Sequence, residues 1–142
     1  MKIYRIAQGD VVLYHITTDV EADKILQNGF EAGKRHYFAK PENVKGWLAT
    51  LWLERRGKNR RWENMNYGKG LTILKITVPQ AVYKEEMWDW DTDEYSNGVN
   101  PGQVTYGEGK LGWNVPDFER QSLKNGVNCL IEVVDSYNNE DI

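Results

Sequence analysis

The side chains that could do chemistry are few. The chain carries His15 and His36 as its two histidines, a single cysteine, Cys129, and many carboxylates. His15 ends an apolar run, VVLYH, and Tyr37 follows in a second short run, HYFA, after one intervening helix-like stretch. Two histidines without i, i+4 spacing do not make a metal motif. No G-x-S-x-G elbow or P-loop occurs. Cys129 lies in an apolar run with no neighbouring basic group, which predicts an inert buried thiol and not a nucleophile. What remains is a site that works by binding and positioning. An imidazole nitrogen can hold a sugar hydroxyl, and a tyrosine ring can stack on a flat or cationic ring. A carboxylate can stabilise positive charge at an anomeric carbon, as in glycosidases. Those three groups in one cleft suit cleavage of an N-glycosidic bond in a nucleotide.

Such groups need elements to position them. Val11 to Ile16 is rich in β-branched and aromatic residues and reads as a strand. Thr18-Asp19-Val20-Glu21 fits a capping box, in which hydroxyl and carboxylate satisfy free N–H groups reciprocally. Ala22, Ile25 and Leu26 form the apolar stripe of a short helix. Gly29 stands where a left-handed stop is wanted, with Phe30 placed to pack back on Ile25 as in a Schellman motif. His36 to Ala39 reads as a short strand, and Pro41 opens a helix carrying Val44, Trp47, Leu48, Leu51 and Trp52 at helical spacing. Leu71 to Val78 reads as a strand ended by Pro79. Met1 to Ala7 alternates as an edge strand would, and Val127 to Val134 reads as the last strand. Pro116 to Lys124 suggests a weak helix. Lys84 to Gly112 is acidic, aromatic and glycine-rich and reads as a long irregular segment, with a short strand at Val104 to Tyr106. Its opening part, Glu85 to Tyr95, suits a lid, a recognition loop or a partner-binding patch.

Composition bounds the rest. A chain of 142 residues is read as a single domain, 1–142, large enough for a core without disulfides. A net charge of −3 argues against a general nucleic-acid or membrane binder. The basic run Arg55 to Arg61 reads first as a solvated loop, or else as a clamp for phosphate or nucleic acid. Met1 to Asp10 lacks the apolar region of a signal peptide, and no run reaches the length of a membrane span. The expectation is a cytoplasmic protein.

The stretch Leu13-Tyr14-His15-Ile16-Thr17-Thr18, with Ala22, Ile25-Leu26, Gly29-Phe30 and Tyr37-Phe38-Ala39, resembles the front half of the ADP-ribosyltransferase superfamily, in its His-Tyr-acid branch. The resemblance implies an α+β fold: a split, curved mixed β-sheet with short helices around a NAD cleft. It implies a NAD-dependent mono-ADP-ribosyltransferase that uses NAD as substrate and a protein or nucleic acid as acceptor. His15, Thr17, Tyr37 and Phe38 would hold NAD, with His15 and Tyr37 also catalytic. The catalytic acid would be Glu108, in VTYGEGKLG, with Glu132 and Glu140 as the other choices. Two further readings stand beside it: an RNA 2′-phosphotransferase-like enzyme, kept open by Arg55 to Arg61, and an inactive nucleotide- or protein-binding member. The resemblance also suggests a bacterial or phage conflict setting, with a toxin role and an antitoxin or target protein as partner.

Overall fold

A computed structural model describes residues 4–31, 36–53, 70–91, 102–106 and 122–137. The protein is α+β, with a six-stranded sheet and a few short helices. In chain order the elements are β1 (Val11–Thr18), α1 (Asp19–Asn28), β2 (His36–Ala39), a 3-10 turn (Pro41–Asn43) running into α2 (Val44–Leu53), β3 (Leu71–Val78), α3 (Gln80–Glu86), β4 (Trp88–Asp89), β5 (Gln103–Tyr106) and β6 (Leu130–Tyr137). The strand order is β4-β5-β2-β1-β3-β6. Every pairing between neighbouring strands is antiparallel, which corrects the expected mixed sheet.

Strand β3 is buried nearly throughout, on both faces, as its largely apolar sequence, LTILKITV, suits in a strand paired on both sides. It pairs with β1 over the full length of both, from Val11↔Val78 to Thr18↔Leu71. Between β1 and β2, by contrast, one registered pair is formed among the described residues, Tyr14↔Ala39. The sheet is therefore two three-stranded units joined at Tyr14 and Ala39.

Alternation along the strands assigns the faces. Leu13, His15 and Thr17 share a face with Phe38, Leu74 and Ile76, and this face carries the main core. Tyr14 and Ile16 share the opposite face with Ala39.

Helix α1 covers the core face through Ala22 and Ile25, both buried. Its start is fixed twice. The Thr18 hydroxyl accepts the Glu21 N–H at 3.3 Å, and Asp19 accepts the Thr72 hydroxyl at 2.6 Å, which ties the first turn to β3. Only the hydroxyl half of the expected capping box is seen: the Glu21 carboxylate pairs with Lys24 instead, at 3.3 Å. The stop also departs from expectation. Gly29, at φ 78°, donates to the Ile25 carbonyl at 2.7 Å, but Phe30 N–H donates to Leu123 O at 2.8 Å. The second bond of a Schellman motif is replaced by a tertiary one, and Phe30 is fully buried in the core with Ile25.

Other boundaries shift. Tyr4 to Ala7 is not a strand: Tyr4 N–H donates to Gly126 O at 2.9 Å, and its hydroxyl donates to Asp10. Within Lys84 to Gly112, expected to be irregular, residues 84–86 end α3 and Trp88–Asp89 forms β4. The last strand begins three residues later than expected, at Leu130. Arg55 to Arg61, Tyr95 and residues 116–121 lie outside the described residues; Ser122 to Lys124, the end of the expected helix, are not helical. Among those described, no helix is long and apolar enough to cross a membrane.

Candidate functional site

The site is built where β1 and β2 stop pairing. Beyond Tyr14↔Ala39, continued pairing would set Ile16 against Tyr37. Instead, the His15 ring Nδ1 lies 2.6 Å from the Tyr37 carbonyl oxygen. A carbonyl oxygen can only accept, so Nδ1 carries the proton and donates it. In the neutral ring the lone pair then lies on Nε2.

The neutral form is the favoured one. His15 sits among aromatic rings, edge-on to Phe30 at 5.2 Å between centroids and tilted against Phe38 at 5.6 Å. Burial pulls its pKa down to about 4, against a smaller upward effect from the bond to Tyr37. At neutral pH His15 is thus an uncharged group with one nitrogen committed to the backbone and the other suited to accept from a hydroxyl.

Two pockets meet at His15 and Tyr37. One, of about 270 Å³, is mostly apolar and is lined by Tyr14, Ile16, Ala39, Trp47 and Gln103 along with those two residues and Phe38. The other, of about 490 Å³, is polar and lies against α1. Thr17, Glu21, Lys24, Asn28, Glu31 and His36 contribute to it beside His15 and Tyr37. Tyr37 is 43% exposed, enough to present a ring to a ligand. The pair of pockets offers an aromatic slot for a flat ring and a polar groove for hydroxyl-bearing groups, with the imidazole at their junction.

Of the residues expected from sequence, His15, Thr17 and Tyr37 are brought together here. Phe38 is present but 2% exposed; its ring packs on His15 and Phe30. Glu108 and Glu140 lie outside the described residues. Glu132 is described, and it is not near His15: it faces Lys75 on edge strand β6, and Lys75 faces Tyr14, so Glu132 belongs to the opposite side of the sheet with β3 between. Cys129 is fully buried, and burial pushes its thiol up to about 12, as an inert core cysteine requires.

Sequence reasoning missed Glu21, Glu31 and His36 in the polar groove, and Trp47 and Gln103 in the apolar slot. A signal for Glu21 existed. A helix that starts directly at the end of a strand holds its first turn beside the strand's last residues, here Thr17 and His15. His36 donates from Nε2 to the Glu31 carbonyl at 2.7 Å, and Phe30 stands edge-on between the two histidines. Among the described residues, no group of three His, Cys, Asp or Glu could hold a metal.

The far wall of the slot is pinned by charge. Lys40, next to Ala39, reaches Asp91 at 2.7 Å and Asp89 at 3.0 Å. Asp91 accepts the Gly102 N–H at 2.8 Å, Tyr83 donates to Asp89, and the Trp90 indole donates to Thr105 at 2.7 Å. Burial would lower the Lys40 pKa, but its bonds to Asp91 and Asp89 outweigh that and hold it above the ordinary lysine value. The Gly102 N–H, followed by Lys40, holds the Asp91 carboxyl below its usual range. Trp88 to Asp91, expected within a lid or recognition loop, is built into the sheet edge beside Gln103.

No protein-family model, curated protein or solved structure matches this chain.

Proposed function

We propose that the protein is a NAD-dependent mono-ADP-ribosyltransferase acting on a protein or nucleic-acid acceptor, with the cleft at His15 and Tyr37 as its NAD site. The observation that carries this reading is the tautomer of His15. Its Nδ1–H is committed to the Tyr37 carbonyl, so Nε2 is left as an acceptor at the junction of an aromatic slot and a polar groove. That arrangement fits a ribose between a flat base and a polar remainder. It also agrees with the resemblance carried by Leu13 to Thr18 and Tyr37 to Ala39. The single pair joining β1 to β2 is compatible with the divided sheet that the resemblance implies.

In this reading Nε2 of His15 accepts from a ribose hydroxyl, the Thr17 hydroxyl adds a second polar contact, and Tyr37 stacks on the nicotinamide side. The C1′–N bond then breaks, and its electron pair stays on the pyridine nitrogen, so that nicotinamide leaves uncharged. The acceptor's lone pair forms the new bond to C1′, and its proton passes to water. Positioning and electrostatics supply most of the rate.

The test is incubation of the purified protein with NAD and a cell lysate, followed by mass spectrometry. Released nicotinamide together with an acceptor heavier by one ADP-ribosyl group supports transfer. NAD binding with neither product points to a nucleotide-binding protein without turnover.

A further inference from the structure

The carboxylate of this site was expected late in the chain, and of those late candidates the described one, Glu132, lies on edge strand β6, with β3 between it and His15. The polar groove nevertheless holds a carboxylate close to His15. Resting on the ADP-ribosyltransferase reading, we infer that Glu21, in the first turn of α1, is the acid that stabilises the oxocarbenium-like ribose during transfer.

Three observations carry this. First, Glu21 lines the same groove as His15, Thr17 and Tyr37. Second, its backbone is fixed to β1: the strand ends at Thr18, whose hydroxyl caps the Glu21 N–H, and the adjoining Asp19 is tied to Thr72 on β3. A group one turn into a helix anchored at both strands holds its place relative to His15, which is what electrostatic stabilisation of a short-lived cation needs. Third, the carboxylate is oriented by Lys24 at 3.3 Å, yet the Glu21 side chain remains 55% exposed, so it is open to a ligand.

Other carboxylates serve less well. Asp19 is occupied by the Thr72 hydroxyl. Glu31 enters the groove from the side of His36, to which it gives its carbonyl. Among the described acids it is the charge of Glu21 that acts on the His15 ring, where it favours the protonated form against burial.

In the transfer step Glu21 gains and loses nothing. It faces the ribose while the C1′–N electron pair departs with nicotinamide, and it offsets the positive charge shared by C1′ and the ring oxygen until the acceptor's lone pair arrives.

The test compares wild type, Glu21→Gln and, as a control on the same helix, Asp23→Asn. Glu21→Gln keeps the shape of the side chain on an exposed site, so its thermal unfolding should match wild type. We expect nicotinamide release from NAD to fall by about 100-fold or more in Glu21→Gln, with NAD affinity within about threefold of wild type and Asp23→Asn unaffected. A second readout needs no turnover: the NMR titration midpoint of His15 should move to lower pH in Glu21→Gln, because the favourable charge is gone. Full turnover in Glu21→Gln would overturn the role of Glu21 and leave the transferase reading standing. An unmoved His15 midpoint would overturn the placement of its carboxylate toward His15. Absence of turnover in wild type would overturn the transferase reading, and the role of Glu21 with it.

Discussion

The His15 imidazole donates from Nδ1 to the main-chain carbonyl of Tyr37 across 2.6 Å, where strand pairing between β1 and β2 has already ended. One side chain thereby does two things. It gives the Tyr37 carbonyl a side-chain donor, and it fixes which ring nitrogen carries the proton.

Stability should follow the charge of His15. Its folded pKa of about 4 lies below the ordinary 6.5, so as pH falls the unfolded chain takes up the proton first. The contribution is therefore fully present above about 6.5 and is lost as pH falls toward about 4. The effect is on the order of 2 kcal/mol, given that the ring is only partly shielded from water. NMR titration should give a His15 midpoint well below that of a free histidine. Removing the ring by His15→Gln should flatten the pH dependence of chemical unfolding between pH 4 and 6.5.

Tyr37 should matter to ligand and not to fold. Because its side chain is 43% exposed, Tyr37→Ala should change stability by less than about 1 kcal/mol. Loss of the stacking ring should weaken nucleotide binding by roughly tenfold, and Tyr37→Phe should keep most of the affinity. Calorimetric titration of NAD into the three proteins checks this, with unfolding midpoints read on the same samples.

Gly29 is the position where the backbone leaves no choice. It sits at φ 78°, and a Cβ there would lie 2.1 Å from the Leu123 carbonyl oxygen. Gly29→Ala should cost about 2 kcal/mol or more, because the residue must escape both the left-handed conformation and the contact that seats Phe30. Urea unfolding measures the loss, and faster hydrogen exchange at Phe30 and Leu123 would locate it.

The Lys40 latch makes a separate prediction. Lys40 is 20% exposed, with Asp89 at 15% and Asp91 at 41%. Lys40→Met would leave the carboxylate of Asp89 in a partly dry site, at a cost of about 1–3 kcal/mol. The damage should be local, with exchange protection lost at Trp90 and Gly102 while the β1–β3 pairing stays protected.

The legible parts of the fold are those whose cause is local. The β-branched density of Val11 to Ile16, the cap and stripe of α1, and the apolar run of Leu71 to Val78 each show in a short window, and each element is found. The illegible parts depend on distant partners. Strand β4 is two residues long and acidic-aromatic in composition; it forms because Lys40, far away in sequence, gathers Asp89 and Asp91. The last strand starts late because a polar turn intervenes. The Asn128 side chain accepts Lys124 N–H at 2.7 Å and donates to Ser122 O at 2.9 Å, and Asn125 accepts Ile131 N–H at 2.9 Å. In the site, His15 was visible because it ends an apolar run, and Tyr37 because it follows in the next strand-like run, HYFA. Glu21 was hidden by its own motif: the capping box gave its carboxylate a local task, and the structure turns that carboxylate to Lys24 and the groove.

The measurement that bears most directly on the proposed activity is nicotinamide release from NAD by wild type and by His15→Ala, each first shown to be folded by circular dichroism. The account predicts steady release by wild type and a loss of about 100-fold or more in His15→Ala. Equal release by the two proteins would remove His15 from the site, and no release by either would contradict the transferase reading itself.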